Sequence, residues 1–405
     1  MNVLFLTMLK VTSIENRGIY TDLYREFVKN GHNIYIVSPS ERREKHKHKH
    51  KIIKEQNTTI LRVNTLNLQK TSLLEKGVGQ LLFEYQFLKA IKLNFSNIKF
   101  DLVVYSTPPI TFEKVISFIK KRDKAYSYLL LKDIFPQNAV DLGMIKKNGL
   151  LHNFFLRKEK KLYNVSDKIG CMSPANMNYV LKHNSYISKD KVEVNPNSIE
   201  PIDYKITLKI KEGVREYYNL PLFKKIFVYG GNLGKPQGID FLLKIIEKCT
   251  HEDAYFLIVG SGTEYEKVNN WFKKKIPVNA KLIKGLPKVE YDKLLSCCDV
   301  GMIFLHKHFT IPNFPSRLLS YLEMKMPIFT ATDNSTDIGG IVEKNNCGFS
   351  VETGKINDAL ANIKKLCNND DEFEQMKRSS RNLLEKEYEV KYSYNYIINS
   401  IKNNV

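Results

Sequence analysis

One stretch, Ile226–Gly238 (IFVYGGNLGKPQG), restricts most what this chain can fold into. The apolar residues Ile226 to Tyr229 run into Gly230-Gly231-Asn232-Leu233-Gly234. Phe241, Leu242, Ile245 and Ile246 follow at the spacing of one helix face. That order predicts a buried strand, a glycine turn and an amphipathic helix. Glycines let the backbone approach a ligand closely, and the free N–H groups opening the next helix favour an anion. Lys235 adds positive charge at the same place. Such a turn at the start of a chain suggests a dinucleotide fold. Opening the second half, it predicts two stacked α/β domains with a nucleotide between them. The plain alternative is a tight turn with no ligand.

At 405 residues the chain is too long for one ordinary core and suits two α/β domains. In the first half, Val3–Met8, Ile34–Val37, residues 101–105 and Tyr126–Leu131 read as strands. Tyr20–Lys29, Val78–Leu93, Phe112–Lys121 and Leu150–Tyr163 read as helices. This rhythm implies a parallel sheet covered on both faces. The second half repeats it, with strands at Ala254–Val259, Lys281–Lys284, Val300–Phe304 and Pro327–Thr330. The proline-marked Val192–Pro201 and the charged, helix-like Ile202–Tyr218 place the boundary near residues 200–220. We therefore expect domains at 1–205 and 206–385. Leu383–Asn403 reads as one helix whose Tyr388, Tyr392, Tyr394 and Tyr396 need a surface. Residues 386–405 are expected to cross back onto the first domain.

No apolar run is long enough to span a bilayer, and the first residues do not read as a signal peptide. Six cysteines (Cys171, Cys249, Cys297, Cys298, Cys347, Cys367) form no CxxC pair and no zinc spacing, which fits a reducing cytosol. The net charge is +20, and the first 200 residues hold 33 Lys/Arg against 18 Asp/Glu, so most of the excess lies there. A basic face attracts nucleic acid or an anionic leaflet, and ordinary solvated lysines are the alternative. Arg42–Lys51 (RREKHKHKHK) reads as a solvated, mobile loop that touches phosphate-rich material. Its His46, His48 and His50 alternate with lysines that would repel a metal ion. In the helix from Leu150, the residues Leu151, Phe154, Phe155 and Leu162 are mixed with Arg157, Lys158, Lys160 and Lys161. Such a helix packs on its own domain or lies on a membrane surface.

In open parallel sheets, ligands bind beyond the carboxyl ends of the strands. The second half offers four such ends: Gly230–Lys235, Gly260–Gly262, Gly285–Pro287 and Phe304–Arg317. A nucleoside diphosphate would find backbone donors at the first, with Lys235 and Arg317 for its charge. Backbone around Leu286 would address the base, and Ser316, Ser320 and Glu323 the ribose. Ser316 reads equally well as a helix cap. Against a nucleic-acid-binding protein, no aromatic–basic RNA motif or zinc finger appears.

These motifs resemble a family 4 glycosyltransferase of GT-B fold, in the branch that builds capsule and O-antigen repeat units with N-acetylaminosugar (fucosamine-type) transferases. The resemblance rests on Met1–Met8 with Gly18, on residues 30–34 (NGHNI), and on Leu129–Gly143 (LLLKDIFPQNAVDLG). Further matches are Ser166-Asp167 with Ser173, Val194–Ile199 (VNPNSI), Tyr229–Gly238, Ile258–Gly262 (IVGSG) and Pro312–Ile328. It implies two Rossmann-like domains with parallel sheets facing across a cleft, acceptor on the first and nucleotide sugar on the second. It also implies a hexosyltransferase-type enzyme, retaining and metal-independent, with no cofactor. Its donor, an N-acetylated aminosugar on UDP, would go to a polyisoprenyl-diphosphate-linked saccharide. The protein would then be cytoplasmic, peripheral on the anionic inner face of the membrane, with no nucleic-acid partner. The donor set it implies is Gly18, Gly231, Asn232, Leu233, Gly234, Lys235, Gly260, Gly262, Leu286, Pro315, Ser316, Arg317, Leu318, Ser320 and Glu323. Catalysis would rest on Asp133, Lys235 and Arg317, with Arg157, Lys158, Lys160 and Lys161 facing the acceptor and membrane.

The chain also departs from that pattern. Asn232 and Gln237 stand where the family has an arginine and a lysine. Pro312 and Ser320 stand where it has paired glutamates, with Glu323 one turn beyond Ser320. Readings left open are a nucleotide-sugar 2-epimerase, a non-catalytic nucleotide-sugar-binding subunit and, in a different class, a nucleic-acid-binding protein.

Overall fold

The computed structural model of the protein describes residues 1–44, 50–67 and 73–402. They form two compact units, Met1–Glu200 with Val390–Val405, and Pro201–Glu389.

The first unit is built on β1 (Asn2–Leu6), β2 (Asn33–Glu41), β3 (His50–Glu55), β4 (Thr58–Thr65), β5 (Leu102–Ser106), β6 (Tyr126–Leu131), β7 (Lys168–Cys171) and β8 (Val192–Val194). The order across the sheet is β3-β4-β2-β1-β5-β6-β7-β8. Every pairing is parallel except β3 with β4. Residue alternation explains why β1 is apolar throughout. Leu4 and Leu6 enter the core on one face, and Val3 and Phe5 the core on the other. A parallel strand covered on both faces has no polar side.

The second unit holds β9 (Lys225–Asn232), β10 (Ala254–Ser261), β11 (Ala280–Lys284), β12 (Val300–Phe304), β13 (Ile328–Thr332) and β14 (Gly348–Glu352). Their order, β11-β10-β9-β12-β13-β14, puts β9 near the middle of an all-parallel sheet. The start of β9 is pinned by Asp299, which accepts the Ile226 N–H at 2.8 Å and pairs with the buried Arg215. Arg215 also donates to the carbonyls of Cys297, Leu222 and Lys224, so its buried charge is fully used.

Two expectations need correction. The C-terminal segment is not one helix but two, Asp370–Glu387 and Val390–Lys402, split at Tyr388-Glu389. The split lets the two halves serve different cores. Tyr388 is buried beside Phe314 of the second unit, while Val390 and Ile397 enter the first unit's core. There Tyr394 packs edge-on against Phe27 and its hydroxyl meets His32 at 2.9 Å. Nor is Arg42–Lys51 a solvated loop throughout. Arg42–Glu44 is a short 3-10 turn and residues 50 and 51 begin β3, while His46 and His48 lie outside the described residues. Glu44 is held by Lys10 at 2.7 Å and by Arg62 at 3.0 Å, with Arg62 itself buried.

Ile397 is 0% exposed. Ile397→Ala should cost about 3 kcal/mol, through lost burial and an unfilled cavity. Urea unfolding of the two proteins measures it directly.

Candidate functional site

The carboxyl ends of β9 and β10 lie level, with Gly230 opposite Val259 and Gly231 opposite Gly260. They open into a cavity of about 390 Å³ lined by Gly230, Gly231, Gly260, Ser261, Gly285, Leu286, Arg317 and Ser320 among others. Two glycines have steric reasons to be there. A Cβ on Gly230 would occupy the place of the Tyr291 hydroxyl, and Gly231 has φ 121° with the Arg317 guanidinium beside it. That φ strains any residue with a side chain.

Arg317 opens the helix Arg317–Glu323. One turn on, the Tyr321 hydroxyl accepts from Gly230 N at 3.2 Å and lies within bonding distance of the Val228 and Met302 carbonyls. Tyr321 therefore ties this helix to β9 and β12 and sets where Arg317 points. The guanidinium carbon lies 4.2 Å from the centroid of the Tyr229 ring. Its Nη1 is buried with no hydrogen-bond partner. Burial pushes Tyr321 up to about 12 and also raises Tyr229 and Tyr291. All three are neutral phenols at pH 7, so none supplies a counter-charge. Lys288 lines the cavity too, but its ammonium is spent on Asp292 at 2.6 Å. What remains is a glycine-walled cavity with one uncompensated guanidinium. The Arg317 side chain is half-buried with its Nη1 shut off from solvent, and an arginine cannot shed its proton, so it favours an anionic ligand.

Of the sequence-predicted donor residues, Gly231, Gly260, Leu286, Arg317 and Ser320 meet at this cavity. Asn232 and Gln237 bond to each other at 3.1 Å, and the same Gln237 oxygen takes Gly234 N. The two positions where the family has an arginine and a lysine thus form a neutral clasp that shapes the turn. Leu233 and Leu318 are core residues, and Gly262 packs against the Leu233 carbonyl. Lys235 is exposed on the short 3-10 turn Lys235–Gln237 and does not line the cavity. Pro315 accepts the Leu318 N–H at the helix entry, and Ser316 sits at the N-cap without a side-chain cap bond. Glu323, read from sequence as a ribose contact, is buried and accepts the Ile202 N–H at 2.9 Å. Tyr229, Tyr291 and Tyr321 were missed as site builders because they read as ordinary core aromatics. The i,i+4 spacing of Arg317 and Tyr321 was the available signal.

In the first unit, Asp133 follows β6. Its carboxylate accepts from Asn138 Nδ2 at 2.8 and 2.7 Å, and its backbone is held from both sides by the Thr107 hydroxyl. Burial pushes the carboxyl up to about 6, against the pull of the Asn138 bonds. Neither Asn138 nor Thr107 was anticipated. Gly18 precedes the helix Ile19–Lys29, and its N–H is held by Asp22 at 3.0 Å. Arg157, Lys160 and Lys161 are exposed. Lys158 departs from that set, since it lies 3.7 Å from the buried Glu84 carboxylate. Among the described residues, no group of three His, Cys, Asp or Glu comes together to hold a metal ion.

Residues 211–383 match the family model described as glycosyl transferases group 1, all inside the second unit. The chain is 23% identical to the probable glycosyltransferase WbjE of Pseudomonas aeruginosa, over 69% of each chain. It is 21% identical to the putative colanic acid biosynthesis glycosyl transferase WcaI of Escherichia coli K12, over 60% of each. HepE of Anabaena, solved in complex with UDP-glucose, superposes with a TM-score of 0.71 at 13% identity and covers 100% of both chains. The chain is a glycosyltransferase of the GT-B fold. For this glycosyltransferase, no helix among the described residues is long and apolar enough to cross a membrane.

An uncompensated guanidinium destabilises a ligand-free protein. Arg317→Met should therefore leave the ligand-free melting temperature equal or higher. UDP is expected to raise the melting temperature of the wild type and not that of the variant. Differential scanning fluorimetry with and without UDP reads both effects.

Proposed function

We propose that this glycosyltransferase moves a sugar from a UDP donor to a lipid-linked saccharide during synthesis of a bacterial capsule or O-antigen, with retention at the anomeric carbon. The observation that carries the reading is the half-buried Arg317 in a glycine-walled cavity, its Nη1 shut off from solvent without a hydrogen-bond partner and neutral phenols beside it. Support for UDP comes from HepE and its bound UDP-glucose. Support for polysaccharide synthesis comes from the name of the WcaI relative. The aminosugar and the polyisoprenyl-diphosphate acceptor follow from the motif resemblance.

In this reading the diphosphate sits against Arg317, with Lys235 adding a smaller, solvent-screened share. Fixed positive charge stabilises the departing diphosphate and takes the place of a metal ion. The bond from the anomeric carbon to the β-phosphate oxygen breaks as the acceptor oxygen bonds to that carbon on the same face. The acceptor proton passes to the departing β-phosphate oxygen, so no protein base is needed. Asp133, held by Asn138, orients a sugar or acceptor hydroxyl by accepting its hydrogen bond.

Two measurements test the proposal. A panel of nucleotide sugars in EDTA should stabilise the protein selectively with one UDP-sugar, and no shift with any nucleotide would remove the donor site. Asp133 accepts a hydrogen bond best when ionised, and its carboxyl is half-ionised at about 6. Turnover should therefore fall on the acid side with a midpoint near that value. Asp133→Asn should abolish this limb and lower kcat about a hundredfold while donor KM changes little. Wild-type turnover in Asp133→Asn would end that role.

A further inference from the structure

We propose that the start of the helix Leu150–Val165, with the loop before it, is a membrane-insertion wedge that docks this unit on an anionic lipid leaflet. The inference rests on the lipid-linked acceptor reading above and names the surface that meets the lipid.

The helix has two faces of different character. His152, Glu159, Leu162 and Tyr163 are buried, and Phe155 packs against Phe135 in the unit's core. The outer stripe runs Leu150, Phe154, Arg157, Lys161, at successive spacings of four, three and four residues. It begins apolar and ends basic. Leu150 is 92% exposed, Leu151 63%, Phe154 38%, and Met144 in the loop before the helix 66%. A contiguous group of large apolar side chains in water marks an interaction site.

Charge decides the occupant. Lys146, Lys147, Arg157, Lys160 and Lys161 flank the apolar tip, all exposed. Between residues 144 and 161 the only acid is Glu159, which is buried and bonded by Tyr163. Apolar residues ringed by unopposed basic ones complement acyl chains beneath anionic headgroups. The long cationic side chains reach the phosphates while the tip sits below them. An acidic protein partner would satisfy the lysines but not the leucines.

The test uses the full chain and flotation with vesicles of phosphatidylcholine alone or mixed with phosphatidylglycerol. The wild type should float with the mixed vesicles and far less with the neutral ones. The combined Leu150→Ser, Leu151→Ser, Phe154→Ser variant should bind mixed vesicles about tenfold or more weakly. The combined Arg157→Gln, Lys160→Gln, Lys161→Gln variant should lose the preference for phosphatidylglycerol. These side chains are exposed, so the melting temperature without nucleotide should not change, and it checks folding independently of donor binding. Equal flotation of wild type and the serine variant overturns the proposal. So does a serine variant that changes oligomeric state but not vesicle binding, which would make the patch a contact between copies of the chain.

Discussion

A cation held out of water without an anion costs stability and favours an anionic ligand, and in this protein that cation is the Arg317 guanidinium, whose Nη1 is buried and unbonded. The contrast lies within the same unit. Arg215 is the more enclosed of the two at 2% exposure, and it has Asp299 and several backbone carbonyls, so its role is to hold the start of β9. Arg317 has a tyrosine face and an unbonded Nη1. One arginine completes the structure, and the other is proposed to be completed by a phosphate.

The rest of the second unit can be read as what keeps Arg317 in place. Tyr321 ties its helix to β9 and β12, and Tyr291 fills the space over Gly230 that any side chain would need. The Asn232–Gln237 clasp shapes the turn without charge. Positive charge has moved from the turn, where the resemblance leads one to seek it, to the helix across the cavity. The first unit shows the same economy at Asp133, where Thr107 fixes the backbone and Asn138 the carboxylate.

Much of this was legible in the residues. Strands covered on both faces read as unbroken apolar runs, so β1, β6, β10 and β12 fell close to where they were expected. The glycine turn announced its cavity, and Arg317 could be singled out as its charge. Other features were hidden for physical reasons. A break between the last two helices carries no proline or glycine, because separate cores on either side of Tyr388-Glu389 make it. Strand β3 begins inside a lysine–histidine run, where its pairing with β4 overrides composition. The carboxylate of Glu323 looks functional until Ile202 is seen donating to it from a distant part of the sequence. Partnership of that kind cannot be read from spacing.

The most direct test is calorimetric titration of uridine, UMP and UDP into the wild type and Arg317→Met, in EDTA. The account predicts that wild-type affinity rises with each added phosphate and that most of this rise disappears in the variant. Equal affinity for uridine and UDP in the wild type, or an undiminished rise in the variant, would contradict it.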